Sequence, residues 1–259
     1  MRYLVITLLF NMLASPLYAA PMADEIKTIS VIADSSLALP MTNIIHEYSS
    51  DKYQAVVASY VPVNQQEATV AEGVGYDVLI TARPKLLEIL KQQGLVDIYT
   101  ESKVAKNRLA LVASTQSDFK LSLSQAFPLA QMITRFSWQP GLIVGNPETL
   151  LQGTTAREAL RHYEVLSDLE PYTIYEKDLP EMIEMIQTQG TLGLLYESDA
   201  KHHPDLKVVD LVPENAHQPI VYIAVVLAGD RMEPAREFVE YLTQSQAKSV
   251  LEKHGFGKP

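Results

Sequence analysis

The sequence predicts an α/β protein of two units, each a mainly parallel sheet flanked by helices, with the chain passing between them twice. Three observations predict this. Short β-branched apolar runs alternate with stretches of helical periodicity from residue 29 onward. No polar linker or internal repeat separates the two series of elements. Two long apolar runs, "RLALVAS" (108–114) and "PIVYIAVVLA" (219–228), stand where the chain would cross, and are expected to act as hinge strands.

The elements follow in order. "ISVIAD" (29–34) reads as a strand, and Asp34-Ser35-Ser36 sits where it hands over to a helix. Such side-chain oxygens cap unpaired helix N–H groups, and they can equally face a ligand. Leu37, Met41, Ile44, Ile45 and Tyr48 then recur at helical spacing. Pro40 has no N–H and is expected to delay that helix to near itself. "QAVVASY" (54–60) is the next strand, followed by a short polar helix toward Gly73. "YDVLITA" (76–82) is the third strand, and Pro84 to Gln92 a helix stopped by Gly94. In the second unit "GLIVGN" (141–146) and "YTIYE" (172–176) are strands, with a helix from Thr154 to Tyr163 between them. Asp178 and Glu181 form a capping-box pattern, Leu179, Met182, Ile183 and Ile186 share one face, and Gly190 ends that helix. "TLGLLY" (191–196) and "LKVVDLV" (206–212) are further strands; Pro234 opens a helix, and a last one ends at Gly255-Phe256.

The first residues read as a secretory signal: a positive Met1-Arg2, an apolar run from Tyr3 to Leu13, and a small-residue exit ending near residue 23. The run is too short to span a bilayer. The mature chain is therefore expected to be soluble and exported, with no cysteine for a lipid anchor or a disulfide. The formal charge of −10 over the full sequence disfavours nucleic acid or an anionic membrane surface as partner. A small anion is still compatible, because it responds to local dipoles.

Catalytic motifs are lacking. No nucleophile elbow, Walker loop or zincin helix occurs, and "EGVGYD" precedes a strand rather than opening a helix. His202-His203, in "KHHPD", has no Cys or His partner at ligand spacing and reads as a solvated loop. No cation-liganding set and no cofactor are expected. Anion binding has better support. Three strand-to-helix joints carry small or polar residues: Ser35-Ser36, Gln152-Gly153-Thr154-Thr155 and Lys177-Asp178-Leu179. Helix starts meeting in one cleft supply N–H donors and positive dipole ends. Tyr196 adds an O–H donor. The plain reading of each joint alone is capping.

"GNPETLLQGTTAREAL" (145–160), "GLLYESDA" (193–200), "HQPIVYIAVVL" (217–227) and "KHGF" (253–256) together resemble the periplasmic molybdate-binding proteins of ABC importers. "VIADSSL", "YDVLITA" and "AKNRLALVAS" fit the same family in the same order. The resemblance implies a two-lobed type II periplasmic binding protein with two hinge crossovers. Lobe one would hold residues 24–107 and 222–259, and lobe two residues 108–221. It implies a tetrahedral oxyanion, molybdate or tungstate, held by N–H groups and hydroxyls, with an ABC permease as partner and a monomer as the working form. By position, Ser36 matches the family's first serine, beside Ser35. Tyr196 matches its tyrosine, Leu179 its backbone donor before a helix, and Gln152 the alanine of its "PAG" turn. Val63 falls on the family's second serine without a hydroxyl, Pro62 removes a donor, and the amide of Asn64 or of Gln65 is the candidate replacement. Arg83 stands where the family has an acidic residue. These departures leave open a different, organic anion or a diverged chain that has lost binding. An exported enzyme on the same scaffold is the third alternative, and it would need a nucleophile–base pair or a metal set converging on the cleft, neither of which the sequence offers.

Overall fold

The computed structural model describes residues 28–62, 64–72, 75–124, 126–128, 130–132 and 141–259. The expected signal segment, Val63, and Gly73-Val74 of "EGVGYD" lie outside the described residues.

Ten strands form two five-stranded sheets among the described residues. The first contains β1 (Ile29–Asp34), β2 (Val56–Val61), β3 (Val78–Thr81), β4 (Val96–Asn107) and β10 (Ile220–Leu227), in the order β2-β1-β3-β10-β4. The second contains β5 (Leu109–Ser114), β6 (Leu142–Gly145), β7 (Thr173–Glu176), β8 (Leu192–Tyr196) and β9 (Leu206–Leu211), in the order β7-β6-β8-β5-β9. The helices are α1 (Ala38–Lys52), α2 (Gln66–Ala71), α3 (Pro84–Gln92), α4 (Leu151–His162), α5 (Leu166–Leu169), α6 (Leu179–Gln189), α7 (Glu197–His202), α8 (Met232–Leu242) and α9 (Ser245–Lys253).

The two sheets and flanking helices agree with the expected α/β class. The strand directions are more mixed than the mainly parallel arrangement expected. In each sheet two pairings are parallel and two antiparallel. The reason lies in the connections. A helix can return the chain to lie parallel, as between β1 and β2, whereas β10 and β5 enter their sheets from the other sheet and run against their neighbours. The crossings are Arg108 alone, between β4 and β5, and residues 212–219, between β9 and β10. The strand part of each expected hinge run, residues 109–114 and 220–227, belongs to one sheet, and Arg108 and Pro219, which open the two runs, lie in the crossings.

β4 was not anticipated. After a buried Val96 it is exposed or half-buried from Asp97 to Lys103 on a sheet edge, and Val104, Ala105 and Asn107 are buried toward its end. α1 begins at Ala38, earlier than Pro40 suggested, because proline in a first turn lacks an N–H that would have no intrahelical acceptor anyway. α4 likewise begins three residues before Thr154, at Leu151.

The central strands of both sheets are buried on both faces. Ile29, Val31 and Ala33 of β1 join the large central core, whereas Ile32 joins a second cluster with Leu79, Leu86, Leu90 and Val225. That is the two-residue side-chain period of a strand covered by helices on each side. In the second sheet Leu109 and Leu111 face the central core, and Ala110 and Val112 face Met182, Ile183 and Ile186 of α6. The chain end returns to the first crossing: Lys106 and Gly257 exchange backbone hydrogen bonds of 2.9 and 2.8 Å.

Candidate functional site: a cleft between the two sheets

The C-terminal ends of β1 and β8 open on a cleft of about 370 Å³. From the first sheet come Ser35, Ser36, Leu39 and Pro62; from the second come Leu150, Gln152, Leu179 and Tyr196, with Asp34, Asp178, Asp199 and His202 also lining it. Ligands of open α/β sheets lie beyond such strand ends. Ser35, Ser36, Gln152, Leu179 and Tyr196 are thus brought together. Asn64 is exposed in a turn and is not among the lining residues. Val63 lies outside the described residues. Arg83 precedes α3 and pairs with Glu67 at 3.3 Å, away from the cleft lining.

The second-sheet wall consists of two helix starts. At α4, the Gly153 and Thr154 N–H groups both turn back to the Leu150 carbonyl, at 3.1 and 3.4 Å. The N–H groups of Leu151 and Gln152 lie in the first turn, where no intrahelical acceptor exists. Gly153 permits this packing. A Cβ there would lie 2.1 Å from the Gly145 carbonyl oxygen. The Gln152 amide Nε2 contacts Met182 Sδ at 3.2 Å, so its polar end is held on α6. At α6, Asp178 caps by accepting from the Glu181 N–H at 3.0 Å, and Pro180 has no N–H. Leu179 keeps the first-turn donor. No Lys or Arg lines the cleft among the described residues, so positive potential there comes from helix starts rather than side chains.

Tyr196, the last residue of β8, is 5 % exposed, and its hydroxyl makes no hydrogen bond of normal geometry among the described residues; the Thr155 hydroxyl is near it but gives its own proton to the Leu151 carbonyl at 3.0 Å. Burial raises its pKa, Asp34 raises it further, and the Thr155 hydroxyl opposes. A buried hydroxyl without a partner is uncommon and calls for an occupant.

The first-sheet wall is organised by Asp34. Its Oδ1 accepts from the Ser36 N–H at 2.9 Å and from the Ser36 Oγ–H at 2.5 Å. The Ser36 Oγ lies 2.7 Å from the Tyr222 hydroxyl, and Asn107 Nδ2 donates to Tyr222 at 3.4 Å and to Ser198 Oγ at 2.8 Å. A polar chain thus runs from β1 through β10 and β4 to α7, joining the two sheets. Asp34 is 7 % exposed and has no cationic partner among the described ion pairs. Burial raises its pKa, and the Ser36 bonds only partly offset this. Asp199, on α7, is buried too. Burial first and Asp34 second push its carboxyl up to about 7, against the Tyr196 backbone N–H.

The histidines correct a sequence expectation. His202 ends α7 rather than lying in a solvated loop, and its Nε2 meets Nδ1 of His254 at 2.7 Å. His254 in turn meets Asn43 Nδ2 at 3.1 Å, and His203 Nδ1 meets the Asp199 carbonyl at 2.8 Å. α7 is too short for its periodicity to be visible in sequence. Burial, then His254 and His203, lower the pKa of His202. No group of three metal-liganding side chains is assembled among the described residues. Sequence reasoning missed Asp199, Tyr222, Asn107 and Ser198, whose importance rests on burial and on contacts across the crossing. Asp34 could be found, at the end of a strand ahead of two serines.

The chain is 28% identical over 238 residues to the molybdate-binding protein ModA of Escherichia coli K12, covering 91% of this chain and 90% of that one. It is 25% identical to the molybdate-binding protein ModA of Haemophilus influenzae, covering 88% and 89%. The periplasmic molybdate-binding protein of Azotobacter vinelandii superposes with a TM-score of 0.71 at 18% identity, over 89% of this chain and 99% of that one, and so shares the fold. Residues 29–257 match the family described as bacterial extracellular solute-binding protein, and the chain belongs to that family.

Proposed function

We propose that this protein captures a tetrahedral oxyanion, molybdate or tungstate, in the periplasm and delivers it to an ABC permease. The observation that carries the reading is the buried, unpartnered Tyr196 hydroxyl, standing beside two helix starts and across from Ser35 and Ser36. Fixed, uncharged donors can replace the hydration shell of a small dianion and discriminate by size and oxygen spacing. The relatives in Escherichia coli and Haemophilus influenzae bear the name of molybdate-binding proteins, which supports this ligand.

In this reading residues 24–107 with 222–259 make one lobe and 108–221 the other. The anion draws Ser36 toward Gln152, Leu179 and Tyr196 by favouring the closed state. The protein works as a monomer, and no covalent step is involved. A thermal-shift titration with molybdate, tungstate, sulfate and phosphate tests it. Stabilisation by the first two is expected; no shift with either at millimolar concentration would overturn this ligand assignment.

A second reading has its own support. The cleft is walled by Leu39, Pro62, Leu150 and Pro180, and its volume exceeds that of one tetrahedral anion. An organic anion with an apolar portion would use those walls. Native mass spectrometry of freshly purified protein separates the readings by the mass of what travels with it.

A further inference from the structure

We propose that Asp34 is a specificity-determining residue that couples oxyanion capture to the uptake of one proton, because its carboxylate already holds both donors of Ser36. The proposal rests on the oxyanion reading of the cleft given above.

The argument is one of donor counting. Ser36 has one N–H and one hydroxyl proton to give. Both are committed to the same oxygen, Oδ1 of Asp34. The chain behind it runs one way: Asn107 N–H to Tyr222, the Tyr222 hydroxyl proton to Ser36 Oγ, and the Ser36 proton to Asp34. The Tyr222 and Ser36 hydroxyl protons both run toward the carboxylate, and neither is free for a ligand. An incoming dianion would also meet a buried negative charge with no cation beside it. Like charges so placed repel strongly where water is excluded.

Protonation of Asp34 resolves both problems. The carboxylic acid becomes a donor to Ser36 Oγ, which still accepts from Tyr222. The Ser36 hydroxyl then turns its proton to the anion, and the competing charge is gone. One O–H bond forms at Asp34, the proton comes from solvent, and it is released again when the anion leaves. A fully ionised oxyanion therefore binds together with a proton, whereas an anion that carries its own acidic hydrogen can donate it to Asp34 and bind without one.

Other titratable groups face the same region: Asp199, His202 and His203 from α7 and its end, Asp178 from the start of α6, Tyr196 from β8 and Tyr222 from β10. Asp199 is the chief competitor for the proton, since it is buried beside the same cleft and lies close enough to Asp34 to feel its charge.

The test is calorimetric titration of the full mature chain with molybdate and with tungstate, which keep their charge between about pH 6 and 8, in two buffers of different ionisation enthalpy. Wild type is expected to take up about one proton per anion, with affinity rising about tenfold per pH unit as pH falls. Asp34→Asn keeps a capping oxygen for the Ser36 N–H, and it is expected to bind with no uptake and a flat pH profile. Binding by wild type without proton uptake would overturn the proposal and leave the oxyanion reading intact. Loss of uptake in Asp199→Asn but not in Asp34→Asn would also overturn it. No binding by any anion across the range, in either protein, would overturn the oxyanion reading first and this inference with it. The wild-type measurement stands even if a variant fails to fold.

Discussion

Replacing Tyr196 by Phe separates the cost of a buried hydroxyl from its use. In the free protein the hydroxyl is withdrawn from water and pairs with nothing described. An unsatisfied buried polar group costs about 1–3 kcal/mol. Tyr196→Phe keeps the ring and removes that cost, so the free protein should be unchanged or more stable, by up to about 3 kcal/mol. For a domain of this size each kcal/mol raises Tm by about 2–4 °C. Anion binding should move the other way. A hydrogen bond to a charged acceptor contributes about 1.5–3 kcal/mol, so Kd for molybdate should rise about tenfold to a hundredfold. Urea denaturation of the free protein and calorimetric titration with molybdate read the two effects separately. A variant less stable by about 1 kcal/mol or more, with unchanged affinity, would refute the assignment: the hydroxyl would then be structural.

Three further outcomes follow from the same geometry. Asp199 has a carboxyl raised from 3.8 to about 7 in the folded state, so the native protein binds more protons than the unfolded chain across that range. Stability should therefore fall as pH rises from about 4 to 7, and Asp199→Asn should flatten this slope and raise stability at pH 8, measured by urea titration at several pH values. Gly153→Ala places a methyl 2.1 Å from the Gly145 carbonyl; it should destabilise by about 1–3 kcal/mol in urea and weaken anion binding by shifting the start of α4. Arg83→Ala breaks only a half-exposed pair with Glu67, and should change stability by about 0–1 kcal/mol and leave anion titrations unaltered.

The sequence announced elements whose periodicity is long or whose caps are explicit. α6 was readable because Asp178, Glu181, the apolar face and Gly190 all agree, and Gly190 indeed takes φ +64 as a C-terminal stop. β4 was hidden because an edge strand with exposed Tyr99, Glu101 and Lys103 has no apolar run to betray it. The same holds for the cleft. Ser35, Ser36, Gln152, Leu179 and Tyr196 stand at strand-to-helix joints, a local feature, and all line it. Asn107, Tyr222 and Ser198 meet only because β4, β10 and α7 converge at the crossing, and separations of 91 and 115 residues leave no mark on a local pattern. Asn64 shows the opposite error: an amide near the right turn, but exposed outside the lining.

The strand order carries a consequence for how the molecule assembles. All strands of the second sheet come from residues 109–211, whereas the first sheet needs β10 inserted between β3 and β4, with Ile223 against Thr81 and Leu227 against Val96. Closing so long a loop is entropically expensive before any contact rewards it. We infer that the second sheet gains protection first and that the first stays open until the carboxyl-terminal segment arrives. A polypeptide still being threaded through a membrane would then remain unlocked until translocation is nearly done. Pulse-labelling hydrogen exchange during refolding would show it, and early protection of β1 and β3 ahead of β6 and β8 would contradict it.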